Sequence, residues 1–227
     1  MESLRDRISE RANGAYTAGS MSAKARARRW IELARQFPEI GEMRVLDLGG
    51  DARAWRASPI RPAHVTLVNL FAQQPEEPWM TALEGDACAL PDALPEVDLV
   101  YSNSVIEHVG GHWRRERFAA GVRAAAPSYW VQTPYRYFPL EPHFLFPALQ
   151  HLPRPLQAGA IRHWPIGGGR HTRSHAEAMT AVLEVDLLSV GELQAYFPDG
   201  AVLRERFLGA VKSLIAVRGG AGAGATR

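Results

Sequence analysis

The sequence predicts an α/β fold, a doubly wound and mainly parallel sheet closed by an antiparallel hairpin. Three observations carry that prediction. Apolar, β-branched segments alternate with helical ones from residue 43 onward, the pattern of strands joined by crossover helices. The stretch MRVLDLGGDARAW, Met43 to Trp55, ends an apolar run in an acid and two glycines, as a buried strand does when it turns sharply at its end. Near the C-terminus, AVLRERF (201–207) and AVKSLIAV (210–217) are separated by a tight connection at Gly209, and so short a link permits only antiparallel pairing.

The chain can bury a substantial core. Its 227 residues, 46% of them hydrophobic, suit one generous domain or a core domain with an insertion. A formal net charge of +2 supplies no phosphate-binding footprint, so nucleic acid is not an expected partner. Nearly all the basic residues are arginine, Lys24 and Lys212 being the lysines. Cys88 is the single cysteine, which excludes an internal disulfide and fits a reducing compartment. The opening MESLRDRISERANG lacks the apolar core of a signal peptide. No run approaches the roughly 18 apolar residues of a membrane span. The expectation is a soluble, cytoplasmic protein.

Residues 2–12 and 20–36 read as helices, the second with Trp30, Ile31, Leu33 and Ala34 on its apolar face and arginines opposite. Pro38 and Gly41 break that pattern. RVLDLGG is a short buried strand and turn, VTLVNL (65–70) a second strand, TALEGDA (81–87) a weaker third, VDLVYSNS (97–104) a fourth and SYWVQTP (128–134) a fifth. Residues 112–126 form the clearest helix, with Trp113, Phe118, Ala119 and Val122 inward and Arg114, Arg115 and Arg117 on a solvated face. A last helix covers 190–197 before the terminal hairpin. The expected organisation is a single domain over 1–218, with N-terminal helices in 1–40, an insertion at 135–175, and a tail at 219–227 that lacks apolar anchors and reads as disordered. The insertion, rich in proline, aromatics and histidine, reads as a lid or substrate site after the fifth strand.

Ligands of an open parallel sheet settle beyond the carboxyl ends of its strands. Gly49 and Gly50 lie there, where a missing Cβ permits close approach of a nucleotide-like ligand. Asp47 is placed either to accept hydrogen bonds from a ligand or to brace the turn. The other strand ends also offer polar groups: Asn69 to ribose hydroxyls, Gly85-Asp86-Ala87 to an exocyclic amine, and Tyr101-Ser102-Asn103-Ser104 on the fourth.

In that order and spacing, VLDLGG, VTLVNL, EGDA and DLVYSNSVIEHV resemble motifs of the class I S-adenosylmethionine-dependent methyltransferases. The resemblance covers about residues 43–134. It implies a Rossmann-like seven-stranded sheet with an antiparallel last strand. It also implies S-adenosylmethionine as cofactor. Asp47, Gly49 and Gly50 then flank the methionine part, Asn69 with Leu70 meets the ribose, Asp86 and Ala87 meet the adenine, and Ser102 or Asn103 lines the sulfonium. Two departures stand out. Asp51 and Arg53 occupy places where the family often has further glycines, and the ribose position is Asn69 rather than an acid. The absence of G-x-G-x-x-G counts against NAD, whose pyrophosphate needs that tighter cradle.

An alcohol acceptor of a methyl group needs alignment and a base. His143, in PLEPHF, is the first candidate because imidazole titrates near neutrality, with packing as the alternative. Glu141 and His108 are further catalytic candidates, although in the family the Glu107-His108 pair often supports the loop instead. Tyr135 and Tyr137 read as substrate walls or core. Metal candidates are Glu107, His108, Glu141 and His143. The pairs His108/His112 and His171/His175 have i, i+4 spacing, but Gly110-Gly111 argues against a helix through the first, which disfavours zinc and leaves Mg2+ open. Phe144, Phe146, Leu149, Leu152, Leu156, Ile161 and Trp164 are compatible with a lid, a homodimer surface or ordinary core. The segment QTPYRYFPLEPHFLFP is similar to small actinobacterial methyltransferases, among them the sugar 1-O-methyltransferases of mycobacterial methylmannose polysaccharide synthesis. The expected activity is O-methylation of a small hydroxylated acceptor, a methylated mannoside on that likeness. A lipid, quinone or polyketide acceptor, or a non-catalytic binding protein on the same fold, are the alternatives.

Overall fold

The computed structural model describes residues 21–91, 94–164, 166 and 174–219, with side chains from residue 27 onward. The helix expected at 2–12, His171 and the tail beyond Gly219 lie outside the described residues. The first element is α1 (Met21–Gln36), followed by β1 (Arg44–Leu48), α2 (Ala52–Arg56), β2 (His64–Asn69), β3 (Met80–Glu84) and β4 (Leu99–Asn103). Then come α3 (His112–Ala125), β5 (Ser128–Pro134), the short strands β6 (Leu140–Glu141) and β7 (Phe146–Pro147), α4 (Arg154–Arg162), α5 (His175–Leu183) and α6 (Val190–Tyr196). The hairpin β8 (Ala201–Phe207) and β9 (Ala210–Arg218) follows.

Seven strands form one sheet in the order β3-β2-β1-β4-β5-β9-β8. β1 pairs in parallel with β2 and β4, and β2 with β3. The chain therefore runs outward from β1 to β3 and then crosses to β4, which makes the gap between the ends of β1 and β4 the topological switch point. Burial along β1 and β2 is almost unbroken, as expected of parallel strands covered on both faces. Leu208 and Gly209 take positive φ of 49° and 84°, the backbone of a two-residue hairpin turn, so β8 and β9 run antiparallel.

Packing divides the chain into two compact units. One holds the residues through Asn103 with Ala120–Trp130 and those from Val217; the other holds Ser104–Ala119 and Val131–Ala216. In the first, Trp30, Trp55 and Tyr101 form a buried triangle with ring centroids 4.9, 5.5 and 5.3 Å apart. The inward stripe of α1 is Trp30 and Leu33, continued by Phe37, while Ile31 is 68% exposed. Trp30 and Leu33 are buried as expected, and Ile31 is not, because burial follows the i, i+3, i+7 row.

In the second unit, Phe144, Leu149, Ala158, Ile161, Ala178, Ala181 and Val182 make a core of their own. Phe146 packs against it and tilts onto Trp164 at a ring-centroid distance of 4.5 Å, while Tyr137, Leu145, Leu152, Leu156 and Ile166 of the insertion are exposed. Part of the insertion is therefore core, and part of it presents apolar surface. Two expectations for α3 are corrected. Trp113 is 58% exposed, held between Arg114 and Arg117 by cation–π contacts. Arg115 is 4% exposed and ion-paired with Asp186, which Arg136 and Arg154 also engage. A buried guanidinium is tolerable when a carboxylate meets it, and the sequence pattern does not show that partner.

Arg115→Ala should lower the unfolding free energy by about 1–3 kcal/mol, because the buried guanidinium's charge-assisted hydrogen bond to half-exposed Asp186 is lost. Arg117→Ala, on the solvated side of the same helix, should stay within about 0.5 kcal/mol of the parent. Urea denaturation of both variants checks the contrast.

Candidate functional site

The first unit carries a rim built from four strand ends. β1 stops at Leu48, and Gly49 adopts φ 79°, a left-handed conformation that glycine takes at no steric cost. Its N–H donates to the Val68 carbonyl at 2.7 Å. Gly50 is constrained by space. A Cβ there would lie 1.8 Å from Asp47 Oδ2 and 2.2 Å from Asp47 Cγ, so the carboxyl of Asp47 occupies the volume of a side chain at position 50. Asp51 then caps α2, its carboxylate accepting the Arg53 N–H. Asp51 and Arg53 thus form one helix-starting device.

Lateral hydrogen bonds join the strand ends. Asn69 Nδ2 donates to the Gly50 carbonyl at 2.9 Å, and Gln73 Nε2 donates to the same oxygen at 2.8 Å. Asn69 Oδ1 accepts from Leu70 N at 2.8 Å, and the Asn69 carbonyl accepts from Gly85 N at 2.8 Å. Asp86 Oδ1 accepts from Cys88 N at 2.9 Å, closing the turn after β3. Ser102 Oγ donates to the Leu48 carbonyl at 3.0 Å. Arg29, on α1, donates to Asn103 Oδ1 at 3.0 Å.

Asp47 is 2% exposed, and Trp55 Nε1 donates to its Oδ2 at 2.7 Å. Burial pushes its carboxyl up to about 7, against the opposing pull of the Trp55 bond and with a small further push from the Asp51 charge. Of the two roles open to Asp47, bracing is the one its contacts serve. Ser102 is fully buried, and its hydroxyl ties β4 to the end of β1. Half-buried Asn103 stands at that strand end with Arg29. Sequence periodicity marks Arg29 only as one of several arginines on α1, so its role was not legible.

The second unit holds a separate constellation. Ser104 turns the chain out of β4 with φ 58°, steadied by its N–H donating to the Gln132 carbonyl at 2.9 Å and its Oγ donating to Gln132 Oε1 at 3.0 Å. Glu107 is buried, and Thr133 Oγ1 donates to its Oε2 at 2.9 Å. The Glu107 carbonyl accepts from Asp186 N at 3.0 Å. His108 Nδ1 bonds the Glu184 carbonyl at 3.1 Å. The β6–β7 ribbon delivers the rest. Buried Glu141 accepts from His143 Nδ1 at 2.6 Å through Oε1 and from Phe144 N at 2.7 Å through Oε2, so it pins both the ring and the turn. The rings of His108 and His143 meet edge to face at 4.8 Å. Glu107, His108 and His143 each offer a ligand atom, all within 4.8 Å of one another.

The i, i+4 histidine pair is not assembled. His112 begins α3 and bonds the Tyr196 hydroxyl at 2.8 Å, while His108 meets His143 instead. His175 opens α5 at an exposed position. Tyr135 and Tyr137 pack edge to face at 5.5 Å, and Tyr137 stacks on His151. No described helix is long and apolar enough to cross a membrane.

No protein-family model matches the chain, and no curated protein matches its sequence. Solved structures do. The 1,6-didemethyltoxoflavin-N1-methyltransferase of Burkholderia thailandensis, bound to 1,6-didemethyltoxoflavin and S-adenosylhomocysteine, is 14% identical over 94% of this chain and 85% of its own, with a TM-score of 0.54. Magnesium protoporphyrin IX methyltransferase from Synechocystis, bound to S-adenosylhomocysteine, is 10% identical over 96% and 95%, with a TM-score of 0.54. An S-adenosylmethionine-dependent methyltransferase from Mesorhizobium loti is 18% identical over 85% and 98%, with a TM-score of 0.52. This is the class I methyltransferase fold. Identities this low establish architecture alone.

Gly50→Ala should destabilise the protein by about 1–3 kcal/mol through overpacking against Asp47. Combining it with Asp47→Ala should recover part of that loss, a coupling of at least about 0.5 kcal/mol in a denaturation double-mutant cycle. The Asp47 carboxyl has a second consequence. The folded state keeps its proton to about pH 7, whereas the unfolded chain gives it up near pH 4. Its contribution is therefore complete below about pH 4 and is lost as pH rises toward 7. Relative to Asp47→Asn, the parent should lose stability across that window and level off above it, as measured by urea midpoints at stepped pH.

Proposed function

We propose that this protein is an S-adenosylmethionine-dependent O-methyltransferase acting on a small, polar, hydroxylated acceptor, with a sugar as the favoured class. The observation that carries the methyl-transfer reading is the rim of the first unit, where Gly50, Asn69 and Gly85 are joined by direct hydrogen bonds. The residues there fit the cofactor. Gly49 and Gly50 leave backbone without side chains at the end of β1, and Leu70 presents exposed apolar surface beyond β2. Asn69 retains a second Nδ2 hydrogen for a ribose hydroxyl, and Asp86 and Ala87 sit half-buried for the adenine edge. Arg29 with Asn103 suits the methionine end, a guanidinium being matched to a carboxylate. When bound, the cofactor supplies an electrophilic methyl group.

His143 and Glu141 serve the acceptor. The Glu141 carboxylate holds Nδ1–H of His143, which directs the Nε2 lone pair to an acceptor hydroxyl and supports the charge that arrives with its proton. His108 packs edge-on against that ring and restricts its rotation. A polar acceptor is favoured over a lipid by the hydrogen-bonding groups on this side, His143 and Glu141; the small cavity beside Glu141 has polar and apolar walls alike, Arg136, Gln150 and Asp186 with Phe144, Leu149 and Leu187. The narrower likeness to the mycobacterial methylmannose enzymes is not supported by the solved structures.

S-adenosylhomocysteine should bind the parent in calorimetry and raise its thermal midpoint. His143→Ala should cut methyl transfer from S-adenosylmethionine to a panel of hexosides by about 100-fold or more while leaving S-adenosylhomocysteine affinity unchanged. Full turnover by the variant would remove His143 from the chemistry, and failure of the parent to bind the cofactor product would defeat the methyltransferase reading.

A further inference from the structure

Glu107, His108 and His143 form a group of a different kind from the rest of the acceptor side. Each presents one ligand atom, and the three atoms lie within 4.8 Å of one another. The environment of each is what a bound cation requires. A backbone carbonyl can only accept, so His108 Nδ1 carries the hydrogen that meets Glu184 at 3.1 Å. His143 Nδ1–H meets the Glu141 carboxylate at 2.6 Å. Both tautomers are thereby set with the lone pair on Nε2, the nitrogen a metal takes. One imidazole backed by a carboxylate and another by a backbone carbonyl are the two commonest outer supports of metal-binding histidines. Glu107, the third member, is buried and oriented by the Thr133 hydroxyl.

We infer that Glu107, His108 and His143 bind one divalent transition-metal ion, with Zn2+ the preferred occupant. Two nitrogens and one oxygen make a three-ligand set that leaves a fourth position open. Mg2+ is disfavoured, since it asks for oxygen ligands, and the second carboxylate at hand, Glu141, is committed to His143 and Phe144. Zinc bonds of about 2.0–2.2 Å put tetrahedral ligands about 3.4 Å apart, so side-chain shifts of roughly 1 Å close the set. The anchoring segments come from the loop after β4, from β5, from the β6–β7 ribbon and from residues 184–186, which explains why no local spacing motif announces the site. His143 Nε2 cannot hold the ion and take a proton at once, so its base role belongs to the metal-free protein. The binding site does not rest on the methyl-transfer reading.

Tag-free protein stripped with a chelator and titrated with Zn2+ in competition with a fluorescent chelator should take up one equivalent with submicromolar Kd. Co2+ should give the visible bands of a low-coordinate site with nitrogen ligands. His108→Ala and His143→Ala should each weaken Zn2+ at least about 100-fold, and Glu141→Gln about 10-fold through the lost support of His143. His112→Ala, whose ring bonds Tyr196, should bind as the parent does. Circular dichroism of the metal-free variants verifies folding, and Glu107→Gln provides a near-isosteric test should an alanine variant fail it. Absence of stoichiometric Zn2+ uptake by the parent, or uptake unaffected by His108→Ala and His143→Ala, would overturn the inference. Calorimetry with S-adenosylhomocysteine on the metal-free protein tests the methyltransferase reading separately, so either can fail alone.

Discussion

Asp47 points into the protein beneath the turn that ends β1, and its carboxyl fills the space that any side chain at position 50 would need. Much of the first unit's rim follows from that contact. Trp55 reaches back from α2 to the same carboxyl, which ties the turn to the helix and places the indole in the buried triangle with Trp30 and Tyr101. With Gly50 bare, its carbonyl is accessible to Asn69 and Gln73 together. A carboxyl buried this way costs desolvation, which is why its affinity for a proton rises toward neutrality.

The second unit solves a different problem, the orientation of imidazoles. A histidine left to itself has two tautomers and a rotating ring, and neither a base nor a ligand can be built from that. Here each ring is held through Nδ1 by an oxygen, that of His108 by the distant Glu184 carbonyl and that of His143 by Glu141 two residues earlier. Ser104 turns the chain from β4 toward Glu107 and His108 with a positive φ, a conformation uncommon for serine and secured by Gln132. Arg115 and Asp186 reinforce the same region, Asp186 N also donating to the Glu107 carbonyl.

Much of the architecture was legible in the chain because strands and crossover helices have their own periods. SYWVQTP coincides with β5, and the terminal hairpin emerged from a two-residue link. Errors gathered where period alone cannot discriminate. Ile31 and Trp113 are apolar residues at the edge of a helical stripe, and which edge is buried depends on the neighbour. Arg115 reads as solvent-facing because a charge is normally solvated, and only Asp186, 71 residues away, makes its burial tolerable. Arg29 acquires a role solely through Asn103, 74 residues on.

The sequence by itself determined the succession of buried strands, the polar residues at their ends and the PLEPHF segment with its adjacent acid and imidazole, because these depend on local spacing and side-chain chemistry. Tertiary structure alone decided that Asp47 braces while Asn103 stands at the rim with Arg29, and that His108 finds His143 rather than His112. Gly110 and Gly111 part the nearby pair, and only folding brings the Glu184 carbonyl to His108 and joins two rings separated by 35 positions. Partners chosen by hydrogen bonds over such separations leave no period in the chain from which to read them.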